Sequence, residues 1–258
     1  MKSLLKTMAS IGGLLIATAA FSSNAAAQYT RKDLVTDVGA NGTVADANLK
    51  NAWGMASSGG GSLWVSANDT GKALLFNIVN NAGGVSATIN PLVVTIPSLT
   101  TGEPGSPTGI VANIGAASEF LVTGVNPVSG KTVTARAAFL FATLDGTISG
   151  WNPNVLPTEA VIGANRSAAG AIYTGLTTAS SGGQTFLYAA DGGPNRRIDV
   201  FDGTFQLHSF SDVAFVDPNV PRKFTPYGIQ TICQGSACNI WVTYTALGNA
   251  QSGFISEF

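Results

Sequence analysis

The sequence predicts an all-β chain folded as a β-propeller, and three observations carry that expectation. First, Phe139–Pro153 (FLFATLDGTISGWNP) alternates apolar residues at strand spacing on both sides of Asp145-Gly146. Asp-Gly between two such runs is a strong hairpin signal, and a type I′ turn there needs φ > 0 at both central residues. Second, a glycine-led strand recurs: Gly54, Gly109, Gly175 and Gly228 head four units spaced 55, 66 and 53 residues apart. Units of this size in an all-β chain read as propeller blades, nominally about 40–50 residues each. Third, no helical 3.6-residue pattern is sustained beyond the first 27 residues. A β-sandwich with accidental similarity between units is the competing architecture.

Taken in order, Tyr29–Val35 reads as a lone strand. The first unit follows: Asn51–Ala56, a turn at Gly59–Gly61, strand Ser62–Ala67, a turn at Asn68–Gly71, then strands Lys72–Asn77 and Pro91–Ile96. Pro97–Pro107 is a loop rich in Pro and Gly. The second unit opens at Ser106–Val111, carries an insertion at Gly124–Thr134, and closes with the Asp145-Gly146 hairpin. The third runs from Ile172–Leu176 through Thr185–Ala190 to Arg197–Phe201, and the fourth from Thr225–Gln230 through Asn239–Thr245 to Gly253–Phe258. Glycine suits the innermost strand because a missing side chain lets backbones crowd around an axis. Trp53, Tyr173 and Tyr227 are expected to pack between blades.

Composition narrows the function class. Charged residues make up only 10% of the chain and the net charge is −1, so the basic footprint of a nucleic-acid binder is missing. Residues 1–27 read as a secretory signal peptide: Lys2 and Lys6, an uncharged stretch Met8–Phe21, and a small-x-small site at Ala25–Ala27. Residues 28–258 are then the propeller domain, secreted or periplasmic, and no later segment is long and apolar enough to span a membrane. Cys233 and Cys238 lie in CQGSAC. Export places them in an oxidising compartment, so they are expected to pair across a hairpin tip at Gln234–Ala237. A two-cysteine metal site is the alternative, though His208 is the only histidine.

Propeller topology directs the search for a site. The loop leading into each inner strand and the turn between the second and third strands fall on one face. That face collects Asn51, Asn68, Asp69, Thr108, Asp145, Asp191, Asn195, Arg196 and Tyr227. Of these, Asn51, Asn68, Asp69, Asp145 and Asp191 are the ligand or metal candidates, since Ca²⁺ takes six to eight oxygen ligands. Asn and Asp are equally what tight turns require. No catalytic residue is identified: His208 sits beside a Phe-rich strand, no G-x-S-x-G is present, and Gly59–Gly61 and Gly182-Gly183 lack the helix and Lys of a phosphate loop.

With these units in view, the chain resembles an uncharacterised family of secreted bacterial β-propeller proteins. The resemblance rests on Asn51–Gly54, Pro107–Val111, Ala142–Pro153, Leu187–Ala190 and Ile198–Asp202, and its most specific part is DGTISGWNP. More distantly it is similar to six-bladed propellers of the NHL-repeat and gluconolactonase-like kind. Such a family continues past the point where Phe258 stands. Two arrangements follow: a small four-bladed ring closed by Tyr29–Val35, or a shortened version of a six-bladed propeller. The gluconolactonase-like resemblance implies a metal at the channel mouth, with no ligand carried over to a particular residue. The expected function is an exported binding module for a protein or glycan. A metal-dependent, lactonase-like hydrolase or lyase with its site at the channel mouth is the alternative.

Overall fold

The computed structural model describes residues 31–39, 43–100, 102–211, 213–246 and 252–258. Met1–Lys32 separates as one unit and Asp33–Phe258 as the other. The expected signal peptide, residues 1–27, lies outside the described residues. Within the larger unit a short parallel pair comes first, β1 (Val35–Thr36) with β2 (Val44–Ala45). The first antiparallel sheet follows: β3 (Ala52–Ala56), β4 (Leu63–Ala67), β5 (Lys72–Asn81) and β6 (Gly84–Thr95). The second sheet starts at β7 (Pro107–Ala112) and is interrupted by a separate hairpin of β8 (Leu121–Val125) and β9 (Thr132–Arg136). It resumes with β10 (Phe139–Thr143), β11 (Thr147–Trp151) and β12 (Val161–Asn165). The third sheet is β13 (Tyr173–Ser181), β14 (Gln184–Asp191) and β15 (Arg197–Phe201). The fourth is β16 (Phe224–Gln234), β17 (Ala237–Ala246) and β18 (Gly253–Glu257).

Strand alternation explains how these sheets stack. Side chains of period two point to opposite faces, so Phe139 and Phe141 join Trp64, Leu75, Ile110 and Trp151 between sheets one and two. Leu140 and Ala142, one residue out of phase, join Ile148, Tyr173, Leu176 and Leu187 between sheets two and three. In β14, Leu187 and Ala189 belong to that same layer, while Phe186, Tyr188 and Ala190 pack with Ile229, Ile240 and Val242 between sheets three and four. Fully burying one such Leu or Phe contributes about 1.5–3 kcal/mol. The far side of sheet one holds Val65, Leu74 and Phe76, covered by Val35 and Leu49.

The glycines join the sheets in one direction. A Cβ on Gly54 of β3 would come within 2.4 Å of the Thr108 carbonyl on β7. On Gly109 of β7 it would meet the Leu176 nitrogen of β13 at 2.5 Å, and on Gly175 of β13 the Tyr227 carbonyl of β16 at 2.9 Å. The threonine before Gly109 and the one before Gly175 each add a bond to the next sheet. Thr108 Oγ1 donates to the Tyr173 carbonyl at 2.7 Å, and Thr174 Oγ1 donates to the Tyr227 carbonyl at 2.7 Å. Trp53 reaches across from β3, donating Nε1–H to the Thr174 carbonyl at 3.0 Å and placing its ring 6.0 Å from that of Tyr227. The first strands β3, β7, β13 and β16 therefore pack in succession, each against the next, and the Trp53 indole spans from β3 to Thr174 and Tyr227. The chain is an all-β propeller of radially packed sheets, as the recurring glycines predict.

Several local expectations change. The Asp145 hairpin is not a type I′ turn. Gly146 has φ 75° but Asp145 is not left-handed, and Gly146 N–H donates to the Thr143 carbonyl. The loop is therefore Leu144–Gly146, a type I turn followed by a left-handed glycine. Strands β5 and β6 extend past their expected ends and meet at Ala82-Gly83, since Ile78 and Val79 continue the ladder opposite Ala87 and Ser86. The insertion in the second sheet spans β8 and β9 rather than beginning at Gly124. In the described part of Tyr29–Val35, Val35 pairs with Val44 and packs on sheet one. It adds no strand to β18, whose partner is β17. The cysteines form the expected disulfide, Cys233–Cys238, as a cross-strand pair of β16 and β17. Among the described residues no helix is long and apolar enough to cross a membrane.

Candidate functional site

The turns bring Asn51, Asn68 and Asp69 together, and each of the expected site residues has a structural partner. Asn51 Nδ2 donates to Asn68 Oδ1 at 3.3 Å and to Asp69 Oδ1 at 3.0 Å, and Asn68 Nδ2 donates to the Pro107 carbonyl at 3.1 Å. Asp145 Oδ2 accepts from the Ser106 amide at 3.3 Å. Asp191 is fully buried. Its Oδ1 accepts from the Ile172 and Gly193 amides at 2.9 Å each, and its Oδ2 from Asn195 Nδ2 at 2.9 Å. The same construction recurs in three sheets: the turn after the second strand is tied to the residue leading into that sheet's inner strand. The backbone repeats it, with Asn68 N–H to the Asn51 carbonyl, Leu144 N–H to that of Ser106, and Gly192 N–H to that of Ile172. The trio Asn51, Asn68 and Asp69 shares no hydrogen bond with Asp145 or Asp191 among the described residues. Nor do three Asp, Glu, His or Cys side chains gather there as a metal cage. Asp145 and Asp191 each accept backbone amides, Asp191 accepts the Asn195 side chain as well, and Asp69 accepts the Asn51 side-chain amide.

A second site lies between the third and fourth sheets. A groove of about 700 Å³ opens between the turn at Pro194–Arg196 with β15 on one side and the segments 207–211 and 214–222 on the other. Its floor is apolar: Ile198, Val200, Phe215, Phe224 and Tyr244. Phe215 packs edge-on against Tyr188 at 5.5 Å and tilted against Phe258 at 5.4 Å, which fixes that floor. Its rim carries Arg196, Arg197 and Arg222 with His208, Ser209 and Ser211. The carboxylates beneath the rim are already engaged. Asp199, buried, accepts Arg197 Nε–H at 2.6 Å and the Tyr173 hydroxyl at 2.8 Å. Asp217 Oδ2 accepts the Ser256 hydroxyl at 2.6 Å, and that bond holds its carboxyl below the usual range. Burial, helped by the nearby Asp217 charge, pushes the Tyr244 phenol up to about 12. Tyr173 is driven up by burial first and by the charge of Asp199 second, so at neutral pH both phenols are protonated.

His208 is half-buried, its ring 4.7 Å from Phe186 and 4.7 Å from Phe210, and its amide donates to the Val200 carbonyl. It extends sheet three past β15 and lines the groove with its neighbours. Sequence reasoning placed Arg196 on the axial face and passed over Arg197, Arg222, Phe215 and Tyr244. The signal available was the adjacent pair Arg196-Arg197 in a chain only 10% charged.

No family model matches the chain. It is 33% identical over 121 residues to uncharacterized protein R640 of Acanthamoeba polyphaga mimivirus, covering 46% of this chain and 21% of that protein. It is 27% identical over 227 residues to uncharacterized protein R648 of the same virus, covering 83% of this chain and 50% of that protein. The chain thus spans half of one relative and about a fifth of the other. Among solved structures, the PQQ-bound aldose sugar dehydrogenase of Streptomyces coelicolor shares 15% identity, with a TM-score of 0.33 over 81% of each chain. A streptogramin B lyase shares 12%, with a TM-score of 0.32 over 82% of this chain and 83% of that one.

Proposed function

We propose that the chain is an exported propeller that binds a small ligand in the groove between its third and fourth sheets. One observation carries this reading: a concavity of about 700 Å³ with a fixed apolar floor and convergent polar groups at its rim. Ligand sites have this size and make-up. Arg196 is tied to the Arg222 carbonyl and Arg197 to the buried Asp199, so the rim is held in place, as suits holding a molecule. On the axial face, by contrast, Asp145 and Asp191 serve the backbone. The lactonase-like alternative needs a cation there, and Ca²⁺ calorimetry is its direct test.

The binding reading is tested by filling the groove. Leu207 lines it and is exposed, so Leu207→Trp adds bulk without disturbing the core. A panel of monosaccharides, oligosaccharides and short peptides is screened for an upward shift in melting temperature. Compounds that shift the natural protein are expected to lose the effect in Leu207→Trp while its own melting temperature stays unchanged. A ligand that shifts both proteins equally places binding elsewhere and sinks the reading.

A further inference from the structure

The groove's charge says more about what it holds. Three of the chain's six arginines, Arg196, Arg197 and Arg222, line this one concavity. They face two lining carboxylates, Asp199 and Asp217, both occupied from within the protein. Arg197 is about half exposed, while the Asp199 that grips its Nε is 2% exposed. A buried carboxylate thus orients a guanidinium whose outer part faces solvent. Arg196 sits in the left-handed region with φ 52°, and Phe215 on the floor likewise at 60°. Such a conformation is strained for a residue with a side chain and persists only where its surroundings hold it. Arg196 is held by donating Nη1–H to the Arg222 carbonyl, which clamps one wall of the groove to the other. A planar guanidinium matches a carboxylate or phosphate with two parallel hydrogen bonds. The apolar and aromatic floor suits the flat side of a ring.

We propose that the groove binds an organic anion, a ring of sugar or aryl size bearing a carboxylate or phosphate, with the ring over Phe215 and Tyr244 and the charge at Arg196 and Arg222. This rests on the reading that the groove is a binding site, and deepens it by naming the ligand's chemistry. The attraction acts near solvent, so it is expected to weaken as salt rises.

The test is calorimetric titration of the full chain with three probes that share an aryl ring: 4-nitrophenyl β-glucuronide, 4-nitrophenyl β-glucoside and 4-nitrophenyl phosphate. The glucuronide is expected to bind about tenfold more tightly than the glucoside at low salt, as charge-assisted hydrogen bonds to one carboxylate imply. The phosphate shows which anionic group is preferred. The double variant Arg196→Gln/Arg222→Gln is expected to erase that preference while keeping weak affinity for the glucoside. A merely structural role for the two arginines would weaken both sugars alike and leave their ratio unchanged, which overturns the proposal. Equal affinity of the natural protein for glucuronide and glucoside, lost in Leu207→Trp, also overturns it but leaves the binding reading standing. If none of the three probes binds, the anion proposal falls, and the binding reading stands or falls with the wider panel tested against Leu207→Trp.

Discussion

At Gly109 a single hydrogen decides whether two sheets can meet. A methyl there would sit 2.5 Å from both the nitrogen and the Cβ of Leu176, and neither can move without shifting β13. Gly109→Ala is expected to cost about 1–3 kcal/mol, the usual penalty for overpacking, read as a lower urea midpoint. Gly228→Ala supplies the control. Its methyl would meet only Thr243 Oγ1 of the same sheet at 2.9 Å, so its cost should be clearly smaller. Equal costs would mean that the glycines do not work as joints between sheets. Phe120 and Phe205 show the opposite bargain between strain and packing. Both have positive φ, 53° and 63°, yet both are buried with rings 5.3 Å apart, and Phe205 covers Gly163. The three joint glycines, Gly54, Gly109 and Gly175, were legible because a repeated small residue stands out in a chain, while Gly228, expected to match them, meets only its own sheet. The strained phenylalanines were not, since their conformation is imposed by partners remote in sequence.

Among the elements, the inserted hairpin β8–β9 is tied to sheet three through one carboxylate. Glu119 Oε1 accepts from the Thr185 amide at 3.2 Å, and Oε2 accepts from the Ala116 amide at 2.8 Å. Burial would raise this carboxyl, but the Ala116 and Thr185 bonds outweigh it and leave the pKa lowered from 4.5. A lowered folded pKa stabilises above the ordinary glutamate range and is lost as pH falls through the folded value. Melting temperature is therefore expected to drop on acidification below about pH 4. Glu119→Gln should start lower at neutral pH and lose less in acid. Parallel melting curves for the two proteins across that range would remove the tie. The strands of sheets three and four were readable from their alternation. The turn at Asp145 was misread because Asp-Gly fits two loop lengths. What selects the longer one is the Ser106 amide, 39 positions away, which the carboxylate must reach. The groove was hidden for the same reason: Arg197, Phe215, Arg222 and Tyr244 converge only after two sheets pack.

Across the whole molecule, the sheets form a series with unlike ends. At one end Met55, the counterpart of Ile110, Leu176 and Ile229 beside each glycine, is 68% exposed. At the other, Ile255 on β18 is 68% exposed, Ile232 is 44% exposed, and among the described residues β18 pairs with β17 alone. An apolar strand edge in water invites pairing with another chain. The purified protein is expected to self-associate as concentration rises, and Ile255→Lys should reduce the effect in light scattering. A natural protein that scatters as a monomer at every concentration would contradict this. The stepwise joint also bears on how such a chain can change over generations. The junctions at Gly109 and Gly175 each need only a threonine hydroxyl, a bare backbone and one aliphatic residue in the following segment. Tandem duplication of a whole sheet would then reproduce its own mating surfaces, and an engineer could splice in an extra Thr-Gly-Ile module without redesigning its neighbours.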